Sequence, residues 1–483
     1  MINRELERAR LADLLATGRQ QMALLYGRRR VGKTYLLTHL WAPEEVFYFT
    51  ASDTTGEQNR RALLTEFAAW SGTEVVIDDY PTWRTVFRLL LDHRAPEPLV
   101  LVLDEFQYLG ETAAALTAVT SELNAVWEAR RPSRPLLLVL SGSAVGVMDT
   151  LDGAAAPLYG RVAWKHQVEP FDYWDAARMV PCVAARDRAL TYGIFGGMPR
   201  YLADVDPRRP VADNAAQLAL SPGGSVRLLA ETAVLQEQGL REISRYTAIL
   251  RAIGAGSTEL NEIGQRAGLG GDTGLRAKIE RLVGLGFVQA HRNLGAKRTH
   301  AYRYRLADPA LMFHYRFVAP NETTLERATP RAAWASLVAP FLDSYMGHLF
   351  ERIVEQAYHR HHERVGLPLV REWGRWEGRD SRKEPLELDI ATRLADARVL
   401  TGGIKWNSKP LGARWYAHHE QMLTRLSLSG VEWAHDAVDP ESPVLFVAAG
   451  GFTAAFEEAA RAARSKVILW TLDDLYRSDS IRD

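Results

Sequence analysis

The sequence predicts an α/β protein. Short apolar runs that suit buried strands, MALLY, PLVLVL and RPLLLVL, alternate with stretches of helical periodicity. Glycine, acidic or small hydroxyl residues follow these runs, as expected where parallel strands end at a ligand-binding edge of a sheet. The last third of the chain repeats the alternation, with a long helix, three strands, a helix, a strand, a helix and a final strand. Several α/β units are therefore expected.

The composition is that of an ordinary globular protein, with 47% hydrophobic and 24% charged residues among 483. Lys plus Arg and Asp plus Glu each number 59, so a contact with nucleic acid has to come from a local patch. A single cysteine, Cys182, excludes an intrachain disulfide and a cysteine-based zinc site. The opening MINRELERAR has no apolar h-region, and no apolar run approaches the roughly 18 residues of a membrane span. We expect a cytoplasmic protein without membrane contact.

A glycine-rich loop follows the first strand and precedes a helical pattern, and it reads G-x-x-x-x-G-K-T. In this context the backbone N–H groups of the loop and of the helix N-terminus cradle phosphates, a lysine reaches the β and γ oxygens, and a hydroxyl ligates Mg²⁺. ATP and Mg²⁺ are thus the predicted cofactors. The predicted nucleotide-binding loop comprises Gly27, Arg28, Arg29, Arg30, Val31, Gly32, Lys33 and Thr34.

Two acids end the second apolar strand, PLVLVLDEF. Asp104 is predicted to hold the Mg²⁺ shell together with Thr34, and Glu105 to orient or deprotonate the attacking water. Two further residues have open alternatives. Ser143, after the third strand, either contacts the γ-phosphate or belongs to a tight turn. Arg161, in PLYGR, is either an arginine finger for a neighbouring subunit or an exposed structural arginine.

Six motifs together resemble the archaeal-type ATPases of the STAND branch, which are related to AAA+ proteins. They are NRELERARLADLL, GRRRVGKT, LVLDEFQYL, LSGSAVGVM, PLYGR and GIFGGMPRYL, and they cover residues 1 to about 205. The resemblance implies a RecA-like/AAA+ P-loop ATPase core followed by a helical lid, in a homo-oligomer. It also implies that Asn3, Arg4 and Pro199 flank the adenine.

The middle of the chain predicts a winged helix-turn-helix. Three helical patterns between Tyr246 and Val288 precede two strand patterns around a basic turn. The basic residues of the third helix and of the turn predict phosphate contacts with duplex DNA, although a solvated face on a purely structural domain is the alternative. The predicted DNA-binding residues are Arg276, Lys278, Arg281, Lys297 and Arg298, with Arg292 beside them.

The C-terminal domain resembles the PD-(D/E)xK nuclease-like modules over about residues 341–475. The resemblance places Glu351 at the helical acid, Asp389 at the central acid and Lys405 at the catalytic lysine, and it puts Gly403 where a second metal-ligating carboxylate is expected. A glycine there is expected to leave a gap that only water fills, with Glu387 or Glu384 as substitute ligands.

The predicted domains are a P-loop ATPase core (1–166), a helical lid and connector (167–238), a winged helix-turn-helix (239–320) and a degenerate nuclease-like domain (330–483). Together they predict an ATP-hydrolysing, DNA-associated switch or motor. Two alternatives stay open. One is an ATP-regulated, metal-dependent nuclease. The other is a STAND-like scaffold that binds a protein partner without DNA.

Overall fold

The computed structural model describes residues 2–93, 98–129, 135–235, 237, 240, 242–271, 273–296 and 302–477. The chain divides into two compact units. The first consists of Met1–Pro170, Met198–Arg200 and Gln236–Arg241, and the second of Phe171–Gly197, Tyr201–Leu235 and Glu242–Asp483.

The first unit is built on a five-stranded parallel sheet with the order β2-β3-β4-β1-β5. Its apolar strands are buried along most of their length, as parallel strands covered by helices require. In chain order its elements are α1 (Glu5–Ala16), β1 (Gln20–Tyr26), α2 (Lys33–Thr38), β2 (Val46–Thr50), α3 (Gly56–Ser71), α4 (Trp83–Asp92), β3 (Leu99–Asp104), α5 (Ala113–Ala129), β4 (Leu136–Gly142), α6 (Val145–Met148) and β5 (Trp164–Gln167).

Helices open the second unit, and a hairpin follows them. They are α7 (Tyr173–Met179), α8 (Ala185–Phe195), α9 (Pro199–Leu202, which begins in the first unit), α10 (Val211–Ala215), α11 (Ser225–Thr232), α12 (Ile243–Gly254), α13 (Leu260–Arg266) and α14 (Leu275–Gly284). Strands β6 (Val288–His291) and β7 (Arg303–Leu306) pair antiparallel. The three helices and two strands predicted for the middle of the chain are therefore present.

The remainder of the second unit contains a mixed sheet with the order β14-β13-β12-β11-β8. Its strands β12, β13 and β14 run parallel, whereas β11 is antiparallel to both β12 and β8. The elements are α15 (Pro309–Phe313), α16 (Glu322–Leu325), α17 (Pro330–Ala333), α18 (Leu342–His361), β8 (Val370–Glu372), β9 (Trp376–Arg379), β10 (Pro385–Leu388), β11 (Ile390–Leu394), β12 (Val399–Lys405), α19 (Ala413–Ser427), α20 (Ala434–Ala437), β13 (Val444–Ala448), α21 (Ala454–Arg461), β14 (Val467–Thr471) and α22 (Leu472–Leu475).

The turn that follows β6 is fastened to this C-terminal part. Leu294 is 3% exposed, and its N–H donates to the Arg375 carbonyl at 3.1 Å while its own carbonyl accepts from Trp433 Nε1 at 2.9 Å. The Asn293 amide donates to the Glu377 carbonyl at 2.6 Å and accepts the Glu377 N–H at 3.1 Å. The start of the loop that connects β6 to β7 is thus part of the C-terminal core.

The α/β class with a parallel central sheet is confirmed. The four domain boundaries stay predictions. In the part of the chain that the structure describes, no helix combines the length and apolarity needed to cross a membrane.

Candidate functional site

The predicted phosphate-binding loop joins β1 to α2 in a conformation that depends on glycine. Gly32 has φ +99° and Arg30 has φ +72°, both in the left-handed region. A Cβ on Gly27, whose φ is +157°, would lie 2.5 Å from the Val168 carbonyl oxygen. The backbone therefore approaches β5 too closely for any side chain at Gly27, and the loop stays compact.

Lys33 lies inside this loop. The residue is 5% exposed, and its Nζ donates to the Gly27 carbonyl at 2.7 Å and to the Arg28 carbonyl at 3.4 Å. Burial lowers the pKa of Lys33, while Glu105, Asp104 and other acids oppose the shift. A buried ammonium that donates only to carbonyls gains a stronger partner when a phosphate oxygen replaces one of them.

The Asp104 carboxylate, at the end of β3, is surrounded by donors. Its Oδ2 accepts from the Thr34 hydroxyl at 2.9 Å and from the Tyr48 hydroxyl at 2.5 Å, and its Oδ1 accepts from the Glu105 N–H at 2.9 Å. Burial and Asp104 raise the pKa of Tyr48, so this phenol stays protonated and remains a donor. Tyr48, the third residue of β2, is a functional candidate that the motif search missed.

Glu105 stands in a left-handed conformation with φ +51°, directly after the strand. Its Oε2 accepts from the Ser143 hydroxyl at 2.7 Å, from the Ser143 N–H at 3.1 Å and from the Gln107 amide. A side chain held from two sides has few rotamers, which suits a group that must orient one water molecule. Neither alternative for Ser143 anticipated this contact with Glu105.

Arg29 links the loop to the same network. Its guanidinium donates to the Tyr108 hydroxyl at 2.5 Å and to Ser143 Oγ at 3.4 Å. Tyr108 and Gln107 both belong to the stretch LVLDEFQYL, so the motif was visible in the sequence although the roles of these two residues were not. Arg29 therefore places a permanent positive charge beside the strand ends.

The N-terminal segment also supports the loop. Arg4 is 5% exposed, and its guanidinium donates to the Val31 carbonyl at 2.8 Å, to the Glu169 carbonyl at 2.9 Å and to the Glu7 carboxylate at 3.1 Å. Its neighbour Asn3 has φ +44° and accepts the Arg4 N–H at 2.9 Å. Through these contacts, Arg4 holds the phosphate-binding loop in place.

Pro199 lies beside the loop, since a Cβ built on Gly32 would be 3.7 Å from Pro199 Cγ. Arg161, the candidate arginine finger, forms an ion pair with Glu128 at 2.6 Å, and its side chain is 38% exposed. An action on another subunit would require Arg161 to leave Glu128.

The predicted DNA-binding residues differ in accessibility. Lys278 is close to Glu242 at 3.8 Å with a side chain only 14% exposed, and Arg276 and Arg281 are half-buried. Arg292 is paired with Glu372 at 3.5 Å. Lys297 and Arg298, the basic residues of the predicted wing tip, lie outside the described residues.

In the nuclease-like part, Asp389 lies between β10 and β11, and its Oδ2 accepts the Ile404 N–H at 2.8 Å. Lys405 is the exposed last residue of β12. The expectation of a water-filled gap at Gly403 is wrong. A Cβ there would lie 2.7 and 2.8 Å from the ring of Trp415, so an indole covers the glycine.

Among the described residues, Glu351 forms no ion pair with Lys405. It lies 3.6 Å from the Arg375 guanidinium, which also contacts Glu377 at 3.4 Å and forms a close ion pair with Glu387. Burial raises the pKa of Glu351, and Arg375 opposes that shift. Glu387, one of the substitute ligands, is therefore engaged with an arginine. Among the described residues, no three His, Cys, Asp or Glu side chains are grouped so as to hold a metal ion.

Comparisons with known proteins bear on both ends of the chain. Residues 1–205 match a model described as an ATPase domain predominantly from Archaea, and residues 314–417 match one described as archaeal and bacterial proteins of unknown function. The chain is similar to an uncharacterized protein, MJECL04, of Methanocaldococcus jannaschii, with 23% identity over 410 residues that cover 84% of this chain and 87% of the relative.

Two solved structures are similar to part of the chain. The Walker-type ATPase PABY2304 of Pyrococcus abyssi is 20% identical, with 65% of this chain and 96% of that chain covered and a TM-score of 0.48. The ORC2 protein of Aeropyrum pernix in its ADPNP–ADP complexes is 16% identical, with 69% and 95% covered and a TM-score of 0.42. Since both TM-scores are below 0.5, the assignment depends on the family match and on the loop geometry. Residues 1–205 are similar to the ATPase domain found predominantly in Archaea, and they contain the G-x-x-x-x-G-K-T loop between β1 and α2.

Proposed function

We propose that the chain is an ATP-hydrolysing switch that associates with DNA. The observation that carries the ATPase part is the approach of the Thr34 hydroxyl to Asp104 at 2.9 Å, beside a buried Lys33 and a positioned Glu105. A phosphate-bound Mg²⁺ needs such oxygen ligands, and this site offers one hydroxyl and one carboxylate.

Each residue then has a distinct task. Lys33 exchanges its loop carbonyls for the β and γ oxygens of ATP, and Thr34 and Asp104 would hold Mg²⁺. When bound, Mg²⁺ neutralises charge that develops on the phosphates. Glu105, held by Ser143, orients the attacking water and accepts its proton.

Two variants test these assignments. Lys33→Ala should abolish tight ATP binding, because the loop loses the buried ammonium that reaches the β and γ oxygens. Glu105→Gln should bind ATP but hydrolyse it at least about 100-fold more slowly, the usual contribution of a general base. Glu111→Gln is a suitable control, because Glu111 is an exposed acid that follows the same strand and contacts the Gly56 N–H. A Glu105→Gln enzyme that turns over at the wild-type rate would remove Glu105 from the mechanism.

The DNA part of the proposal is supported by the order of α12, α13, α14 and the β6–β7 hairpin, which is that of a winged helix. Because Lys278 is paired and largely buried, we expect Arg281 and the wing-tip residues Lys297 and Arg298 to provide most of the phosphate contacts. Such contacts give affinity without much sequence preference.

Reversal of Lys297 and Arg298 to Glu should weaken duplex binding on every sequence and reduce the log–log salt slope by roughly one per lost contact. The matched control reverses Arg461 and Arg464, two exposed arginines at and beyond the end of α21. Unchanged affinity after the first reversal would favour the alternative function, a scaffold that binds a protein partner without DNA. The pairing of Lys278 supports this alternative, because a paired lysine is less available to DNA.

We also propose that Arg161 acts across a subunit boundary in a homo-oligomer. If so, a mixture of Arg161→Ala and Lys33→Ala proteins should recover ATPase activity, because some interfaces combine one intact loop with one intact arginine. Full activity of the Arg161→Ala protein alone would show instead that its role is to pair with Glu128.

The nuclease-like part is proposed to be inactive. Trp415 occupies the space above Gly403, and Arg375 supplies the positive charge that Glu351 requires. Cleavage of DNA or RNA with Mg²⁺ or Mn²⁺ that disappears in Asp389→Ala and Lys405→Ala would establish the alternative of an ATP-regulated nuclease.

A further inference from the structure

A cavity of about 370 Å³ lies within the second unit. Its walls come from the end of α12, from strands β6 and β7, and from one face of α18. This volume is in the range of pockets that bind small molecules, about 300–1,000 Å³. Three arginines and two histidines line the cavity.

The charged side chains on the walls are mostly positive. Arg305, Arg316 and Arg375 line the cavity, and Glu351 is the only carboxylate among the lining residues that the structure describes. Arg305 is held by Glu355 at 3.1 Å and Arg375 by its glutamates, so both guanidinium groups are fixed in place. Arg316 is exposed and forms no recorded ion pair with a described residue, so its charge is available to a ligand.

The ionisation of His291 agrees with a positive interior. Burial lowers the pKa of His291 to about 3, and Arg305 and Arg375 add to the shift. The imidazole is therefore neutral at physiological pH, and it offers a hydrogen-bonding group without a further charge. On the α18 wall, Ser344 adds a hydroxyl.

Apolar side chains form another part of the lining. Ile253, Leu306 and Met312 provide a surface for a hydrocarbon or aromatic body, and Met can adapt to its outline. A pocket that is largely apolar with a few converging polar groups is typical of ligand sites. Neither the phosphate-binding loop nor any residue of the first unit contributes to it.

We propose that this cavity binds a small organic anion, in which a phosphate or carboxylate group contacts Arg316 and an apolar body contacts Ile253, Leu306 and Met312. This second ligand site is separate from the ATPase chemistry. The bound anion would join the helical and hairpin elements to α18, because groups from all three line the cavity.

The test uses the full chain with saturating Mg·ADP, so that the phosphate-binding loop is not available to the probe. Isothermal titration calorimetry with 1-naphthyl phosphate and with 1-naphthoate measures the dissociation constant and separates phosphate from carboxylate as the preferred head group. Inorganic phosphate and 1-naphthol are the two partial probes. At least one of the two complete anions should bind more tightly than either partial probe.

Two variants locate the binding. Arg316→Gln should weaken it about tenfold or more, the effect of losing a charge-assisted hydrogen bond. Ser344→Trp, at an exposed position of α18, should fill the cavity and abolish binding while the Tm is retained. The control Arg331→Gln removes a similar charge from an arginine that is 86% exposed and outside the cavity, and it should leave binding unchanged.

Three outcomes would overturn the proposal. Neither complete anion binds at millimolar concentration, 1-naphthol binds as tightly as the anions, or Arg316→Gln and Ser344→Trp bind with wild-type affinity. Each outcome contradicts a different premise, namely the site itself, its charge or its place in the fold.

Discussion

The contact between Gly403 and Trp415 gives a sharp prediction for the C-terminal sheet. Gly403 lies in β12, and the indole of Trp415, near the start of α19, is packed against Phe446 with ring centroids 5.2 Å apart. A Cβ on Gly403 would approach two ring carbons to 2.7 and 2.8 Å. Gly403→Ala therefore forces the indole away from its neighbours.

The size of the effect follows from the packing. One added methyl in a close-packed site costs about 1–3 kcal/mol. A unit of about 300 residues, such as the second unit, loses roughly 1–2 °C of Tm per kcal/mol. We expect the calorimetric transition of the second unit to fall by about 1–6 °C in Gly403→Ala.

Differential scanning calorimetry of the full chain measures this shift. Gly347→Ala is the matched control, because Gly347 lies inside α18 and a Cβ there meets nothing within 4 Å. The same chemical change in that helix should stabilise by about 0.5–1 kcal/mol. The two alanine variants should therefore shift the Tm in opposite directions.

A double-mutant cycle identifies the cause. Trp415→Leu destabilises by itself, but Gly403→Ala should cost less in that background, with a coupling of about 0.5–3 kcal/mol. If Gly403→Ala leaves the Tm unchanged, or if the cycle shows no coupling, the indole does not restrict this position. The same contact predicts that Gly403→Glu alone gains no Mn²⁺ binding.

Three further predictions concern other parts of the chain. Tyr48→Phe removes one hydrogen-bond donor from Asp104, so half-maximal ATPase activity should need severalfold less Mg²⁺. Nucleotide binding without Mg²⁺ should be unchanged. An unaltered Mg²⁺ dependence would contradict this prediction. Burial lowers the pKa of His291 to about 3 and that of His419 to about 4. Below about pH 6.5 the unfolded chain therefore binds more protons than the folded chain. The free energy of unfolding should fall as the pH drops. In His419→Gln, the free energy of unfolding measured with urea should fall less steeply as the pH decreases. An equally steep fall would exclude a contribution from this histidine. Ser143→Ala should lower kcat without changing ATP affinity, because Ser143 acts through the general base Glu105. Single-turnover kinetics measures this effect. A wild-type kcat would show that Ser143 is only a turn residue.

The first unit was largely predictable because its signals are local. A strand, a loop of fixed spacing and a helix are consecutive in sequence, and parallel strands bring their carboxyl ends to one edge. Lys33, Thr34 and Asp104 were therefore found from spacing alone. Tyr48 was not, because nothing in VFYFT distinguishes its hydroxyl from those of other strand tyrosines until β2 is known to pair with β3 beside Asp104.

The C-terminal site was predicted less well, because its character depends on residues distant in sequence. Glu351 lies on the expected helix and Lys405 on the expected strand, whereas Asp389 lies between β10 and β11. The space at Gly403, however, is decided by Trp415 from the following helix, and the charge at Glu351 is decided by Arg375 from the loop before β9. Neither contact has a spacing that a motif can express.

Arg375 can compensate the acidic residues of this site without a metal ion. A buried carboxylate is costly unless a positive charge and hydrogen bonds compensate it. In a metal-dependent nuclease the ion compensates the acids, whereas here one guanidinium contacts Glu351, Glu377 and Glu387. The carbonyl of the same arginine accepts from Leu294, so the charge that neutralises the acids also belongs to the segment that fastens the hairpin. The acids of this site therefore stabilise the connection between the hairpin and the sheet, which is a structural role that requires no catalytic ion.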